Sequence, residues 1–304
     1  MPTLDLHIGA HKTATTFLQV VMQTNQDLFE AEGFVVPHHR KVRKFLTIPC
    51  QLKGYERLGQ DWQTKYRDDE LQIIIGLFFR ALTGENVRHI FLSDENFLGH
   101  AGHVVKSGIL YSHKKMFLEV MSEFIPKEPR RIFLSYRNYA PFFSSIYGQY
   151  LLTVKPENFI HPDAFTEKVM KRVPNWSKYL ATVKNFYPNS EIVVWDYGDV
   201  RSDWLPVFIA MFNRKIAEQM VVNFTTNQRV SMSGKSLAVF RKKLSENGAE
   251  MALANLRRIR NKYDKDQSVP FSLFTEDQMD ILGERFERHK RLLQKSDTGL
   301  IQIY

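Results

Sequence analysis

Four short runs rich in β-branched and aromatic residues recur along the chain, at Thr3–Ile8, Arg88–Ser93, Arg130–Tyr136 and Glu191–Trp195. Between them lie segments of helical periodicity. Thr15–Ala31 carries Phe17, Leu18, Val21, Met22 and Leu28 on one face, and Asp68–Leu82, Lys114–Phe124, Phe142–Leu152 and Trp176–Phe186 follow. Helices dominate from Ser202 onward, including Gly234–Ser245 and Thr275–Gln294. Strands that alternate with helices need crossovers, and crossovers give a parallel sheet with helices on both faces. The expected fold class is therefore α/β, a three-layer parallel sheet flanked by helices. In such sheets ligands bind at the edge where the strands end. Thr13, Glu95 and Arg137 all fall just after predicted strands, so all three are expected at that edge.

The 304 residues are 43% hydrophobic and 25% charged, which excludes disordered, collagen-like and low-complexity classes. No Pro/Gly/Ser-rich linker divides the chain. One domain over 1–304 is expected, with insertions at about 38–65, 96–113 and 154–175 and a helical C-terminal part. Cys50 is the only cysteine, which excludes an internal disulfide and a Cys-rich zinc site. The N-terminal MPTLDLHIGAHK has no basic segment followed by an apolar one, and the most apolar stretch, Ile73–Phe79, is far short of a membrane span. A soluble, cytoplasmic protein is expected. The net charge of +9 favours anionic partners.

The sharpest local feature is Gly9-Ala10-His11-Lys12-Thr13-Ala14-Thr15-Thr16, set between a strand and a helix. The first turn of a helix carries unpaired N–H groups and a partial positive charge, so such a corner binds anions. Lys12 adds a point charge, and Thr13, Thr15 and Thr16 add hydroxyl donors. Thr13 or Thr15 is expected to cap the helix. The Walker A pattern is not met, because its second glycine is absent.

HIGAHKTATTFLQ, residues 7–19, resembles the 5′-phosphosulfate loop of PAPS-dependent sulfotransferases, above all bacterial members that read much like HIGxHKTGTTxLQ. Ala14 departs from the usual glycine. A second segment, Tyr136 to Gln149, resembles the family's 3′-phosphate motif, in which an Arg at a strand end is followed eight residues later by a Ser on a helix. Here the pair is Arg137 and Ser145, with Ser144 as the neighbouring alternative. A guanidinium grips a phosphate with paired hydrogen bonds. Phe91 to Asn96 resembles the middle strand ending in Ser-x-Glu, and Asn227–Ser233 and Phe286–Gln294 resemble C-terminal segments.

The resemblance implies a P-loop NTPase-like sulfotransferase fold, PAPS as donor, PAP as product and no essential metal. Lys12 and the loop N–H groups are then the electrostatic element, with Gly9, Ala10, His11, Thr13, Ala14, Thr15 and Thr16 around the donor. Arg229, Ser231 and Ser233 are further donor contacts. Glu95 is expected to take the acceptor's proton, with Asp94, His100 and His103 as competitors; His11 is expected to orient donor or acceptor. His100 and His103 form H-x2-H, and His113 follows, but no carboxylate stands at a matching interval. They are read as solvated loop histidines, and no metal is assigned. Gly234-Lys235-Ser236 imitates a Walker A tail, but Arg229 stands where the motif needs glycine.

The expected activity is sulfuryl transfer from PAPS to a hydroxyl, or less readily an amine, of a saccharide, glycolipid or small-molecule acceptor. No nucleic-acid partner and no integral membrane segment are expected. Two alternatives are a P-loop nucleotide or small-molecule kinase and a non-enzymatic anion-binding protein. On the resemblance, the insertions at about 38–65, 96–113 and 154–175 are acceptor-binding; the acceptor's identity and the oligomeric state are not legible.

Overall fold

The strands of a sheet covered on two sides must be apolar on both faces. The sequences HIFLS, RIFLSY and EIVVWD meet that demand. The structure, a computed structural model, describes residues 2–60, 64–223, 232–295 and 300–303. Its strands are β1 (Thr3–His7), β2 (Phe34–Val35), β3 (His89–Ser93), β4 (Arg131–Tyr136), β5 (Glu191–Asp196) and β6 (Leu300–Ile303). They form one sheet in the order β2-β3-β1-β4-β5-β6, every pairing parallel. The α/β class is as expected. The edge strands β2 and β6 were not anticipated; two and four residues are too short to show a period.

Alternation along the strands divides the core. Leu4, Leu6, Ile90, Leu92, Ile132, Leu134, Ile192 and Val194 pack on one face. Phe91, Phe133, Val193 and Trp195 pack on the other. Each such side chain, fully buried, contributes about 1.5–3 kcal/mol.

Helices α1 (Thr15–Thr24) and α2 (Gln26–Ala31) follow β1. A single helix was expected over Thr15–Ala31; it breaks at Asn25. The Asn25 Nδ2 donates to the carbonyls of Val21 (2.8 Å) and Val221 (3.0 Å), and its Oδ1 accepts from the Val221 N–H (2.8 Å). A side chain that takes an i−4 carbonyl and a distant backbone competes with the helix ladder.

The stretch 38–65, expected to be irregular, is helical over most of its described length. Helix α3 (His39–Val42), a π-helical turn (Arg43–Thr47) and α4 (Ile48–Arg57) run on without a break. Val42, Leu46 and Cys50, four residues apart, are buried beneath a basic exterior that masks the pattern. Helix α5 (Asp68–Arg80) leads to β3, and α6 (Ala101–Ser107) and α7 (Lys114–Phe124) lead to β4. Helix α8 (Tyr139–Tyr150) starts before the expected Phe142, because the Asn138 side chain accepts from the Ala140 N–H and caps it. Helices α9 (Pro162–Arg172) and α10 (Trp176–Phe186) precede β5. Helices α6 and α9 fall in two of the segments read as acceptor insertions.

Helices α11 (Tyr197–Val200), α12 (Leu205–Phe212), α13 (Arg214–Ala217), α14 (Gly234–Tyr263) and α15 (Glu276–Lys295) follow β5. Helix α14 outruns the expected Gly234–Ser245 and is two helices joined across Gly248, whose φ is 77°. Its start explains the Walker-like tripeptide. Ser233 caps the helix, the Ser236 hydroxyl donates to Asp264 at 2.6 Å, and Lys235 pairs with Asp266. No described helix is long and apolar enough to cross a membrane.

Candidate functional site

Strand β1 lies between β3 and β4, so the chain passes from one side of β1 to the other. The crevice at such a reversal, beyond the strand ends, is where open α/β sheets bind ligands. Three segments meet there: Gly9–Thr16 after β1, Asp94–Asn96 after β3 and Arg137 after β4.

Gly9 brings the first two together. Its φ is 102°, and a Cβ on it would lie 3.3 Å from Glu95 Cα and 3.4 Å from Glu95 Cβ. Only glycine suits both the backbone and the approach. The loop then folds on the Ala10 carbonyl, which accepts from the hydroxyls of Thr13 (2.6 Å) and Thr15 (3.1 Å). The Ser135 hydroxyl on β4 donates to Thr13 Oγ1 and to the Gly9 carbonyl. Thr13 and Thr15 were expected to cap α1 or to offer donors outward. Instead both are buried and hold the loop's shape. The residue before α1 is Ala14, in the left-handed region at φ 62°, and no side-chain hydrogen bond caps the helix. Lys12 is left-handed too, at φ 63°. Thr16 is exposed.

Arg137 reaches back to this loop. Its guanidinium donates to the Lys12 carbonyl at 2.7 Å and stacks over the Tyr197 ring at 5.0 Å. The Arg137 carbonyl accepts from Trp176 Nε1 at 2.8 Å, which fixes the backbone. Among the described residues no carboxylate lies within ion-pair distance of Arg137. Burial pushes its pKa down, and neighbouring Arg201 pushes the same way. Ser144 and Ser145 also separate. The Ser144 hydroxyl is buried and accepts from the Leu273 N–H, whereas Ser145 is half-buried with no hydrogen-bond partner among the described residues. Ser145 stands in the second turn of α8.

The third segment is a polar chain. Asp94, fully buried, accepts from Arg43 Nε (3.2 Å) and from its terminal nitrogen (2.6 Å). Asp94 Oδ1 also accepts from the Asn96 N–H and side-chain amide, both at 3.0 Å. The amide orientation turns Asn96 Oδ1 toward His11 Nε2 at 3.2 Å. That nitrogen therefore carries the proton, and Nδ1 accepts from the Tyr111 hydroxyl at 2.9 Å. The same hydroxyl accepts from the His11 N–H at 2.9 Å. Burial lowers the His11 pKa to about 4. His11 is thus a neutral imidazole with both ring nitrogens engaged. Sequence reasoning missed Arg43 and read Tyr111 only as an aromatic that stacks on a sugar or packs, because their partners are far away along the chain.

Glu95 keeps one-fifth of its side chain exposed. Its Oε1 lies 3.5 Å from Arg43, and its Oε2 accepts from the Gln19 amide at 3.3 Å. Gln19 also donates to Ser93, which bonds to His7 Nδ1. Burial and the charge of Asp94 raise the Glu95 pKa; Arg43 and His39 oppose them. Asp94 is the worse candidate for a base, because its oxygens are committed to Arg43 and Asn96.

Of the histidines read as solvated loop residues, His100 is exposed and His103 is buried. His100 caps α6, its Nδ1 accepting from the Gly102 N–H at 3.2 Å. His103 is buried on α6, 2.8 Å from the Tyr55 hydroxyl. Burial lowers the His103 pKa to about 2. Among the described residues no three His, Cys, Asp or Glu side chains are arranged to hold a metal. Arg229 and Ser231 lie outside the described residues; Ser233 is the cap of α14.

No family model and no curated sequence matches the chain. Among solved structures, a sulfotransferase from Alicyclobacillus acidocaldarius is similar over 85% of this chain and 99% of its own, with 12% identity and a TM-score of 0.40.

Proposed function

We propose that the chain is a PAPS-dependent sulfotransferase acting on a hydroxyl of a saccharide, glycolipid or other small acceptor. The observation that carries this reading is Arg137: a half-buried guanidinium with no carboxylate partner among the described residues, tied to the backbone of the loop after β1. A buried charge left unpaired is costly, so such a cation calls for an anion. Arginine is suited to a phosphate.

The residues fit the donor. Gly9–Thr16, with Lys12 and the N-terminus of α1 uncapped by any side chain, would hold the phosphosulfate end. Arg137 and Ser145 would hold the 3′-phosphate. The donor supplies a sulfuryl group attached to a phosphate, which is a good leaving group. Lys12 offsets negative charge on the oxygen from which sulfur departs. Glu95, whose Cα and Cβ pack against Gly9, receives the proton of the acceptor hydroxyl as that oxygen bonds to sulfur. His11, neutral and held at both nitrogens, fixes the loop against Asn96 and Tyr111.

The test is calorimetric titration of the protein with 3′,5′-bisphosphoadenosine, without metal, against 5′-AMP and Mg-ATP. Tight binding that needs the 3′-phosphate and weakens in Arg137→Ala supports the reading. Indifference to the 3′-phosphate, or a preference for Mg-ATP, sinks it.

A further inference from the structure

The segment 38–44, HHRKVRK, is the most basic short stretch near the site, and only Arg43 of its arginines and lysines reaches a carboxylate in a described ion pair. Arg43 is the first residue of the π-helical turn between α3 and α4. Single π turns inside helices are frequent at functional sites. The guanidinium is fixed by Asp94, which engages two of its nitrogens and is itself anchored by its N–H to the His7 carbonyl at 3.1 Å. The same terminal nitrogen that makes the 2.6 Å bond to Asp94 lies 3.5 Å from Glu95 Oε1. The cation therefore stays in place whether or not Glu95 carries a proton.

We propose that Arg43 is a positioning residue for Glu95: held by Asp94, it keeps a positive charge against Oε1 and so keeps the carboxylate ionised and ready to accept a proton. The proposal rests on the reading of Glu95 as the base. Its physical core is a balance of neighbours. Burial and the Asp94 charge favour the protonated acid, whereas Arg43 and His39 favour the carboxylate. Gln19 from α1 offers a neutral donor to the other oxygen, and Tyr111 also faces Glu95 as a buried neutral phenol. Without Arg43, two adjacent carboxylates would share a half-enclosed site, and like charges so placed do not both ionise.

The experiment is carbon-13 NMR titration of the full chain labelled at glutamate carboxyls, without nucleotide. The Glu95 signal is identified by its loss in Glu95→Gln. Arg43→Met should move the Glu95 midpoint up by about one pH unit or more. Asp94→Asn, which removes the like charge, should move it down. A structural disturbance alone would not produce opposite signs. Because Arg43→Met leaves Asp94 unpaired and can fail to fold, Arg43→Gln, which keeps hydrogen-bond donors for Asp94 but no charge, serves as the second variant, with an upward shift again expected. An unchanged Glu95 midpoint in a folded Arg43→Met or Arg43→Gln protein would overturn the proposal. Failure of the wild type to bind 3′,5′-bisphosphoadenosine would instead overturn the sulfotransferase reading, and the titration, which uses no nucleotide, keeps the two results apart.

Discussion

Arg137 donates a 2.7 Å hydrogen bond to the carbonyl of Lys12, which joins the ends of β4 and β1 across 125 residues of chain. The bond makes the loop after β1 and the end of β4 one unit. The cation that would grip one phosphate also holds the left-handed residue that bears the other charge. Arg137→Ala should therefore weaken binding of 3′,5′-bisphosphoadenosine roughly 30-fold or more, since removing a buried charged partner costs about 2–5 kcal/mol. Binding of 5′-AMP should weaken less. Calorimetry on both ligands checks it, and equal losses would mean that only the loop had been disturbed.

Lys12→Ala removes the charge in the loop and should abolish detectable sulfuryl transfer while the protein stays folded. Loss of one preorganised electrostatic group costs on the order of 10²–10³ in rate. Single-turnover release of labelled sulfate to acceptor or water is the measurement.

Glu95→Gln should cut turnover by about 10²-fold or more and leave nucleotide affinity unchanged. The pKa of Glu95 is raised by burial and by Asp94. Activity should rise with pH through that raised value as the carboxylate forms. Stability runs the other way: a carboxyl raised in the folded state contributes fully below its unfolded pKa, and that contribution is lost as pH rises through the folded one. The urea midpoint of Glu95→Gln should accordingly exceed that of the wild type at neutral pH, by more than at pH 4.

Ala14→Gly addresses the loop's backbone. Ala14 sits at φ 62° and ψ 24°, where a side chain costs about 1–2 kcal/mol. Glycine recovers that and loses part of it to the entropy of the unfolded chain. A net gain of ~0.5–1 kcal/mol is expected, seen as a higher urea midpoint at constant slope. Ala14→Val should destabilise.

His7 and His11 govern the acid side. Burial lowers each from 6.5 to about 4, so the unfolded chain binds protons that the folded chain refuses. The stability they contribute is present above pH 6.5 and is lost as pH falls toward 4. Each is worth on the order of 3 kcal/mol over that window. His11→Gln should flatten the stability profile between pH 6.5 and 4; an unchanged slope would show that His11 protonates freely in the fold.

What the sequence made legible was local. A strand, a turn and a helix with Lys12 between them can be read from a few neighbouring residues, as can Arg137 and Glu95 just after strands. The four long strands and their parallel pairing followed from the same periodicity. What escaped reading depends on distant partners. Arg43 is one basic residue among several until Asp94, 51 residues on, selects it. Asn25 looks like an ordinary helical residue until Val221 claims its side chain. Tyr111 and His103 show nothing of their burial in a segment without period. Thr13 and Thr15 carry hydroxyls that suit a ligand equally well in sequence, yet the Ala10 carbonyl takes both.

The uninterrupted run from α3 through the π-helical turn into α4 has a practical consequence for redesign. A segment that looks like a replaceable surface module, to be exchanged between homologues for a new acceptor preference, also delivers the guanidinium that sits on Asp94 and Glu95. Chimeras that swap 38–57 wholesale would remove that guanidinium along with the surface they set out to change. Grafts that keep residues 42–47 and vary the flanks would leave it in place.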